Sequence, residues 1–172
     1  KVRAGTIIQL TRPQGRFVLP EPPASRLLFV TAGSGITPVM GMLRSLSVRE
    51  RMPDVVLVHC APRRDEVIFG AELRALAGRF GNLRLHEWST RAGESRGRLS
   101  MARLAELCPD WAERETWVCG PAGMLDAAEA HWRQAGLSDR LRVERFHPMP
   151  APAGGGVGGR VRFHRSHRET HA

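Results

Sequence analysis

The segment Leu27-Leu28-Phe29-Val30-Thr31 carries no charge and runs without a break into Ala32-Gly33-Ser34-Gly35-Ile36-Thr37-Pro38. A continuous apolar run of this length suits a strand covered on both faces, as in a parallel sheet. The glycines that follow permit a tight turn and let backbone N–H groups approach a ligand closely. Thr37 suits a helix N-cap and Pro38 the first helical position.

The rest of the chain repeats this strand–helix pattern. Val39, Met42, Leu43 and Leu46 fall at helical spacing, Val55–His59 is a second buried run, and Phe69, Leu73, Leu76 and Phe80 mark a second helix. Leu83–Trp88, Thr116–Cys119 and Leu141–Phe146 supply three more strands. Helices are predicted at Met101–Leu107 and through Met124, Leu125, Ala128 and Trp132. The expected fold class is α/β: a doubly wound, mostly parallel five-stranded sheet with right-handed crossovers. At the N-terminus Thr6–Leu10 and Phe17–Leu19 read as two short strands joined by a turn, a β remnant too small to bury a core alone. Pro20, Pro22 and Pro23 make a stiff linker. Pro148–Pro152 and Gly154–Gly159 make a flexible one, with a further strand at Arg160–Phe163.

The second informative turn follows the fourth strand. Thr116–Cys119 enters Gly120-Pro121-Ala122-Gly123-Met124, again a glycine and a proline before a helix. Two such turns suggest neighbouring strands whose carboxyl ends flank the point where the sheet order reverses, so that one ligand touches both. The helix N-termini there suit a pyrophosphate. The spacing is G-x-G-x-x-P rather than G-x-G-x-x-G, and no acidic residue closes the next strand to hold a ribose. A plain βα turn remains the alternative. For Cys119 the residues alone leave a buried packing role beside a functional one.

Charge and cysteine use narrow the partners. Twenty-six basic residues against 17 acidic ones give +9. Lys1 is the single lysine, and the arginines are scattered, so nucleic-acid binding is not expected; part of the charge suits an anionic cofactor or an acidic partner protein. Cys60, Cys108 and Cys119 stand far apart, which excludes a local zinc or iron–sulfur motif and suits a reducing cytoplasm. No metal site is expected, and no apolar run reaches the roughly 18–20 residues of a membrane span.

With both turns in view, Leu28–Met42, Val55–Leu76 and Thr116–Phe146 resemble the NAD(P)H-binding half of the ferredoxin–NADP reductase superfamily, most of all its modular flavin/[2Fe–2S] reductases. Phe17-Val18-Leu19-Pro20 resembles the last strand of their flavin barrel, and Val161–Ala172 the opening hairpin of a plant-type [2Fe–2S] domain. The resemblance implies residues 1–20 from an FAD-binding barrel, 24–147 as the nucleotide domain, 148–159 as linker and 160–172 as a truncated ferredoxin-type domain. It implies that Gly33, Ser34, Gly35, Thr37 and Pro38 cradle the pyrophosphate and ribose, and that Cys119, Gly120 and Pro121 lie against the nicotinamide with Met124 just beyond. Glu144-Arg145-Phe146 matches the family's acidic-x-aromatic ending, which places Phe146 near the flavin face; an ordinary edge-strand aromatic is the other reading. Cys119 and Phe146 are thus the candidates beside the reacting rings.

In the family the 2′-phosphate is selected at and after the third strand, here Trp88–Arg98. Ser89, Arg91 and Arg98 offer hydroxyl and guanidinium groups, and Arg63 and Arg64 follow the second strand. NADPH is the expected donor and NADH the alternative. The implied function is hydride transfer from nicotinamide to FAD, with electrons passed to a [2Fe–2S] centre or to an oxygenase or desaturase. A non-catalytic nucleotide-binding or interaction module is the alternative. With both ends reading as cut from a longer protein, the chain alone is expected to be inactive. Gly154–Gly159 also spells G-x-G-x-x-G, but it follows a linker rather than a strand, and His164, His167 and His171 read as a solvated tail.

Overall fold

In a computed structural model, which describes residues 15–91 and 97–146 and the backbone of 160–163 and 168–171, the charge-free run at Leu27 becomes the central strand, β1 (Arg26–Ala32). It is followed by α1 (Ile36–Val48), β2 (Asp54–Ala61), α2 (Gly70–Arg79), β3 (Leu83–Ser89), α3 (Met101–Leu107), β4 (Glu115–Cys119), α4 (Ala122–Gln134) and β5 (Leu141–Glu144). The five strands lie in the order β3-β2-β1-β4-β5, and every neighbouring pair is parallel. The chain winds outward from β1 through β2 to β3, then crosses back to β4 on the other side of β1. The reversal falls between β1 and β4, where the two glycine turns were predicted to meet.

Alternation along the strands divides the core into two layers. Leu27, Phe29, Val55, Leu57, Leu83 and Trp117 pack with Ile36, Val39, Met40 and Leu43 of α1 and Leu73 of α2. Leu28, Val30, Val56, Val58 and Val118 pack with Leu104 of α3 and Leu125, Ala128 and Trp132 of α4. The amino ends of the strands are tied by Arg114, whose wholly buried guanidinium meets Asp110, Asp54 and the Leu27 carbonyl.

Four local expectations are corrected. Thr37 is not the N-cap of α1: a 3-10 turn over Gly33–Gly35 starts the coil early, so the helix begins at Ile36 with Gly35 at its cap. Pro38 still falls in the first turn, where its missing N–H breaks no helical bond. Phe69 is outside α2. It precedes the helix in a left-handed conformation (φ 60°), with its ring beneath the Arg44 guanidinium, 5.1 Å from centroid to carbon. Phe17-Val18-Leu19 is irregular rather than a strand. Phe17 and Leu19 pack on the α1 layer, while the Val18 carbonyl accepts a hydrogen bond from the Trp117 indole (3.3 Å), in place of a strand ladder. At the far end β5 stops at Glu144, two residues short of Phe146.

Thr6–Leu10 and the glycine-rich linker lie outside the described residues. Beyond the linker, β6 (Arg160–Phe163) and β7 (Arg168–His171) form an antiparallel hairpin. Among the described residues no helix is long and apolar enough to cross a membrane.

Candidate functional site

The carboxyl ends of β1 and β4 hold the two turns against each other. A Cβ built on Gly35 would stand 2.1 Å from the Cys119 carbonyl oxygen and 2.9 Å from the Gly120 nitrogen. Only glycine lets the first turn lie on the Cys119–Gly120 peptide. Gly120 is similarly enclosed, with the Met124 methyl and the Ala32 Cβ where a side chain would go. Gly33 has φ +54°, a left-handed conformation that glycine adopts without strain.

These constraints bring the N-termini of α1 and α4, each 13 residues long, to one crevice. Neither N-terminus carries a side-chain cap, and neither has an acidic residue in its first turn. The positive end of each helix is therefore not offset by a carboxylate of its own first turn, which suits an anion. Ser34 and Thr37 are exposed on this rim, Pro121 is exposed on the other, and Met124 is half-buried beneath it. This is the fit expected for a pyrophosphate flanked by a flat ring. A cavity of about 430 Å³ bounded by Glu129, Arg133, Ser138, Leu141 and Val143 lies instead toward the amino end of β5.

One row of the sheet beneath the crevice is polar along its whole width. Glu87, His59, Thr31, Cys119 and Glu144 are register partners across β3, β2, β1, β4 and β5. Thr31 and His59 are wholly buried and share a hydrogen bond, Oγ1 to Nδ1 at 2.8 Å. Among the described residues His59 Nε2 is buried with no hydrogen-bond partner, and burial pulls the imidazole down to about 4 against the opposing pull of Glu87. The ring is neutral at pH 7. Burial pushes the Cys119 thiol up to about 11, with the Glu144 carboxylate adding to the shift. Cys119 thus presents a neutral S–H and an apolar surface, suited to contact with a ring and not to nucleophilic attack.

The remaining candidates gather one and two strands away. The segments leaving β2 and β3 are joined by backbone bonds from Thr90 N–H to the Ala61 carbonyl (2.9 Å) and from Arg91 N–H to the Pro62 carbonyl (3.0 Å). This sets Arg63 and Arg64 beside Ser89 and Arg91. Arg63 is committed to its own turn, donating to Glu66 at 2.7 Å with Asp65 at 3.8 Å. Arg98 is exposed just before α3, and among the described residues no contact joins it to Ser89 or Arg91. Phe146 is 54% exposed beyond β5, and its neighbour Arg145 is clamped to Asp126 and Glu129 of α4 at 2.9 and 2.6 Å.

Sequence reasoning missed Thr31, His59, Glu87 and Arg74 as a set. The available signal was that the buried runs of β1 and β2 each approach their ends on a polar residue; Glu87 then joins them only through the register.

A nucleotide-binding α/β domain with its crevice at the strand-order reversal is the class this geometry defines. The family model described as the oxidoreductase NAD-binding domain matches residues 29–130. The chain belongs to that family. It is 51% identical over 172 residues to the NADPH oxidoreductase of Mycobacterium tuberculosis, covering 99% of this chain and 44% of that protein. It is 33% identical over 156 residues to the glycine betaine monooxygenase reductase subunit of Pseudomonas aeruginosa, covering 87% of this chain and 43% of that one. The chain therefore spans less than half the length of these relatives. A cytochrome P450 reductase from Amycolatopsis shares the fold, with a TM-score of 0.68 at 22% identity over 79% of this chain and 43% of that one.

Proposed function

We propose that this chain is the nicotinamide-nucleotide seat of an NADPH-dependent flavin reductase that passes electrons to an oxygenase-type acceptor. The observation that carries the reading is the contact of Gly35 with the Cys119–Gly120 peptide, which joins an anion-binding helix start to a flat, neutral surface at one crevice. Gly33, Ser34, Gly35, Thr37 and Pro38 hold the pyrophosphate and ribose; Cys119, Gly120, Pro121 and Met124 back the nicotinamide. A nicotinamide nucleotide held there would supply hydride chemistry, with a flavin as the group that would receive it and serve a single-electron acceptor. The protein's share is to hold two rings at roughly 3–3.5 Å, which calls for little acid–base chemistry. The neutral Cys119 and His59 agree with that role.

The chain's own residues also support a neighbour on the flavin side. Phe17 and Leu19 anchor the N-terminal segment to the α1 layer, and clamped Arg145 presents Phe146 to solvent beyond the crevice. The β6–β7 hairpin after the linker suits the opening of a [2Fe–2S] domain. The electron acceptor is drawn from the oxygenase systems to which the Pseudomonas relative belongs by name. Three buried, unpaired cysteines favour a reducing cytoplasm. The test is the full-length, flavin-loaded protein with ferricyanide or cytochrome c as acceptor. Reduction driven by NADPH in preference to NADH supports the reading, and a flavin-loaded protein that uses neither nucleotide overturns it.

A further inference from the structure

We propose that Arg64 is the residue that distinguishes a 2′-phosphate from a 2′-hydroxyl, and that Glu87 and Arg74 are the positioning residues that aim it. This rests on the nucleotide reading above, and it separates two adjacent arginines that the sequence leaves equivalent.

Glu87 is the fixed point. Its side chain is only 15% exposed, and it lies two residues before the carboxyl end of β3. Arg74 of α2 grips it with two nitrogens, Nε to Oε2 at 3.1 Å and a terminal nitrogen to Oε1 at 2.8 Å. The same terminal nitrogen of Arg74 donates to the Arg64 backbone carbonyl at 3.2 Å. One guanidinium therefore fastens the turn after β2 to an acid on β3. Arg64 closes the arrangement with its own Nε, 3.3 Å from Glu87 Oε2.

That contact uses only the inner nitrogen of Arg64. Its side chain is 76% exposed, and among the described residues its two terminal nitrogens have no protein partner. They are the edge of a guanidinium that takes a phosphate through two parallel hydrogen bonds. Arg63 differs, because one of its two terminal nitrogens is already taken by Glu66.

The charge balance points the same way. A free acid near the end of this strand would accept a hydrogen bond from a ribose 2′-hydroxyl and repel a 2′-phosphate. Glu87 is outnumbered by Arg64 and Arg74, so the cluster keeps one positive charge, and each Glu87 oxygen lies within ion-pair distance of a guanidinium. With Arg64 at the surface, the Arg64–Glu87 pair contributes little to stability. Its consequence is orientation.

Calorimetry on the full-length protein with adenosine 2′,5′-bisphosphate and with 5′-AMP tests this without turnover, and steady-state kinetics with NADPH and NADH follow. Arg64→Gln should weaken the bisphosphate about tenfold or more and 5′-AMP less than about twofold. Glu87→Gln and Arg74→Met should weaken the bisphosphate roughly three- to tenfold, raising the KM for NADPH while kcat holds, and Arg74→Lys should recover part of the loss. Arg63→Gln should cost less than Arg64→Gln. Equal weakening of both probes in the Glu87 and Arg74 variants would reduce those residues to a structural role and overturn the assignment. So would an Arg64→Gln protein that keeps the wild-type preference for the bisphosphate. A wild type without that preference overturns the NADPH reading as well, which separates the two failures.

Discussion

Gly35 and the Cys119 carbonyl are in direct contact: a Cβ at position 35 would lie 2.1 Å from that oxygen and 2.5 Å from its carbon. Both obstructing atoms are backbone of a buried strand, so neither can swing aside as a long side chain would. Gly35→Ala must push the first turn off β4, opening the crevice and misplacing the α1 N-terminus. Nucleotide affinity should fall at least about tenfold, with a stability loss on the order of 1–3 kcal/mol. Gly78→Ala is the control. It lies within α2 with nothing within 4 Å of its built Cβ, and it should raise stability by up to about 1 kcal/mol. Calorimetric titration and denaturant unfolding of the three proteins check both expectations.

The thiols give a second expectation. Burial pushes Cys60 and Cys108 up to about 12 and Cys119 up to about 11, with the Asp110 hydrogen bond adding at Cys108 and the Glu144 charge at Cys119. All three are buried. At pH 8 the native protein should resist a thiol-specific disulfide reagent over many minutes, whereas three thiols of this segment react at once in denaturant. Rapid modification of Cys119 in the native state would show a thiolate there, and with it a chemical role beyond contact.

How far these features were legible in the sequence depended on whether their cause was local. The run from Leu27 and the turns at Gly33 and Gly120 announce themselves because a doubly covered strand and a glycine-bound turn each leave a mark within a few residues. The start of α2 did not. Phe69 fits helical spacing, yet the preceding turn places it in the left-handed region and hands the start to Gly70. Thr37 misled for a similar reason, since the 3-10 turn at Gly33–Gly35 moves the helix start forward. The polar row was further out of reach. Thr31, His59 and Glu87 become neighbours only once β1, β2 and β3 are paired in register. Arg63 and Arg64 look alike as a pair of letters. Their difference lies in which carboxylate each one meets.

The Thr31–His59 pair leads to a pH dependence with a definite sign. The folded imidazole titrates at about 4, below its ordinary 6.5, so the unfolded chain takes up the proton first as the solution is acidified. The stability linked to a neutral His59 is fully present above about pH 6.5 and is lost as the pH falls toward 4, by at most about 3 kcal/mol. His86, pulled down by partial burial and by Arg84, contributes in the same direction. His59→Asn keeps a polar group near Thr31 without titrating. It should lower stability at pH 7 and flatten the slope between pH 4 and 6.5. Thermal melts of both proteins across that range decide the matter, and an unchanged slope in the variant would place the acid sensitivity elsewhere.

Arg114 is the strongest test of what holds the sheet together away from the crevice. Its side chain is wholly buried, with bonds to Asp110 at 2.9 and 2.7 Å, to Asp54 Oδ2 at 2.8 Å, and to the Leu27 and Asp54 carbonyls at 3.2 and 3.1 Å. The amino ends of β1 and β2 and the turn before β4 thus converge on one planar cation. Arg114→Met removes that cation and leaves two carboxylates and two carbonyls facing an apolar side chain, which should cost about 3–5 kcal/mol. Arg114→Lys keeps the charge but lacks the five-donor fork, so it should recover only part of the loss. The Arg114 hydrogen bond holds Asp110 down at about 2 in the folded state, below its ordinary 3.8. Its contribution is present above about pH 4 and is lost as the pH falls toward 2, a window below that of His59. Denaturant unfolding at pH 7 and at pH 3 should show the gap between wild type and Arg114→Met narrowing in acid. A gap equally wide at both values would mean that packing around the stem, rather than the ion pairs, supplies the stabilisation.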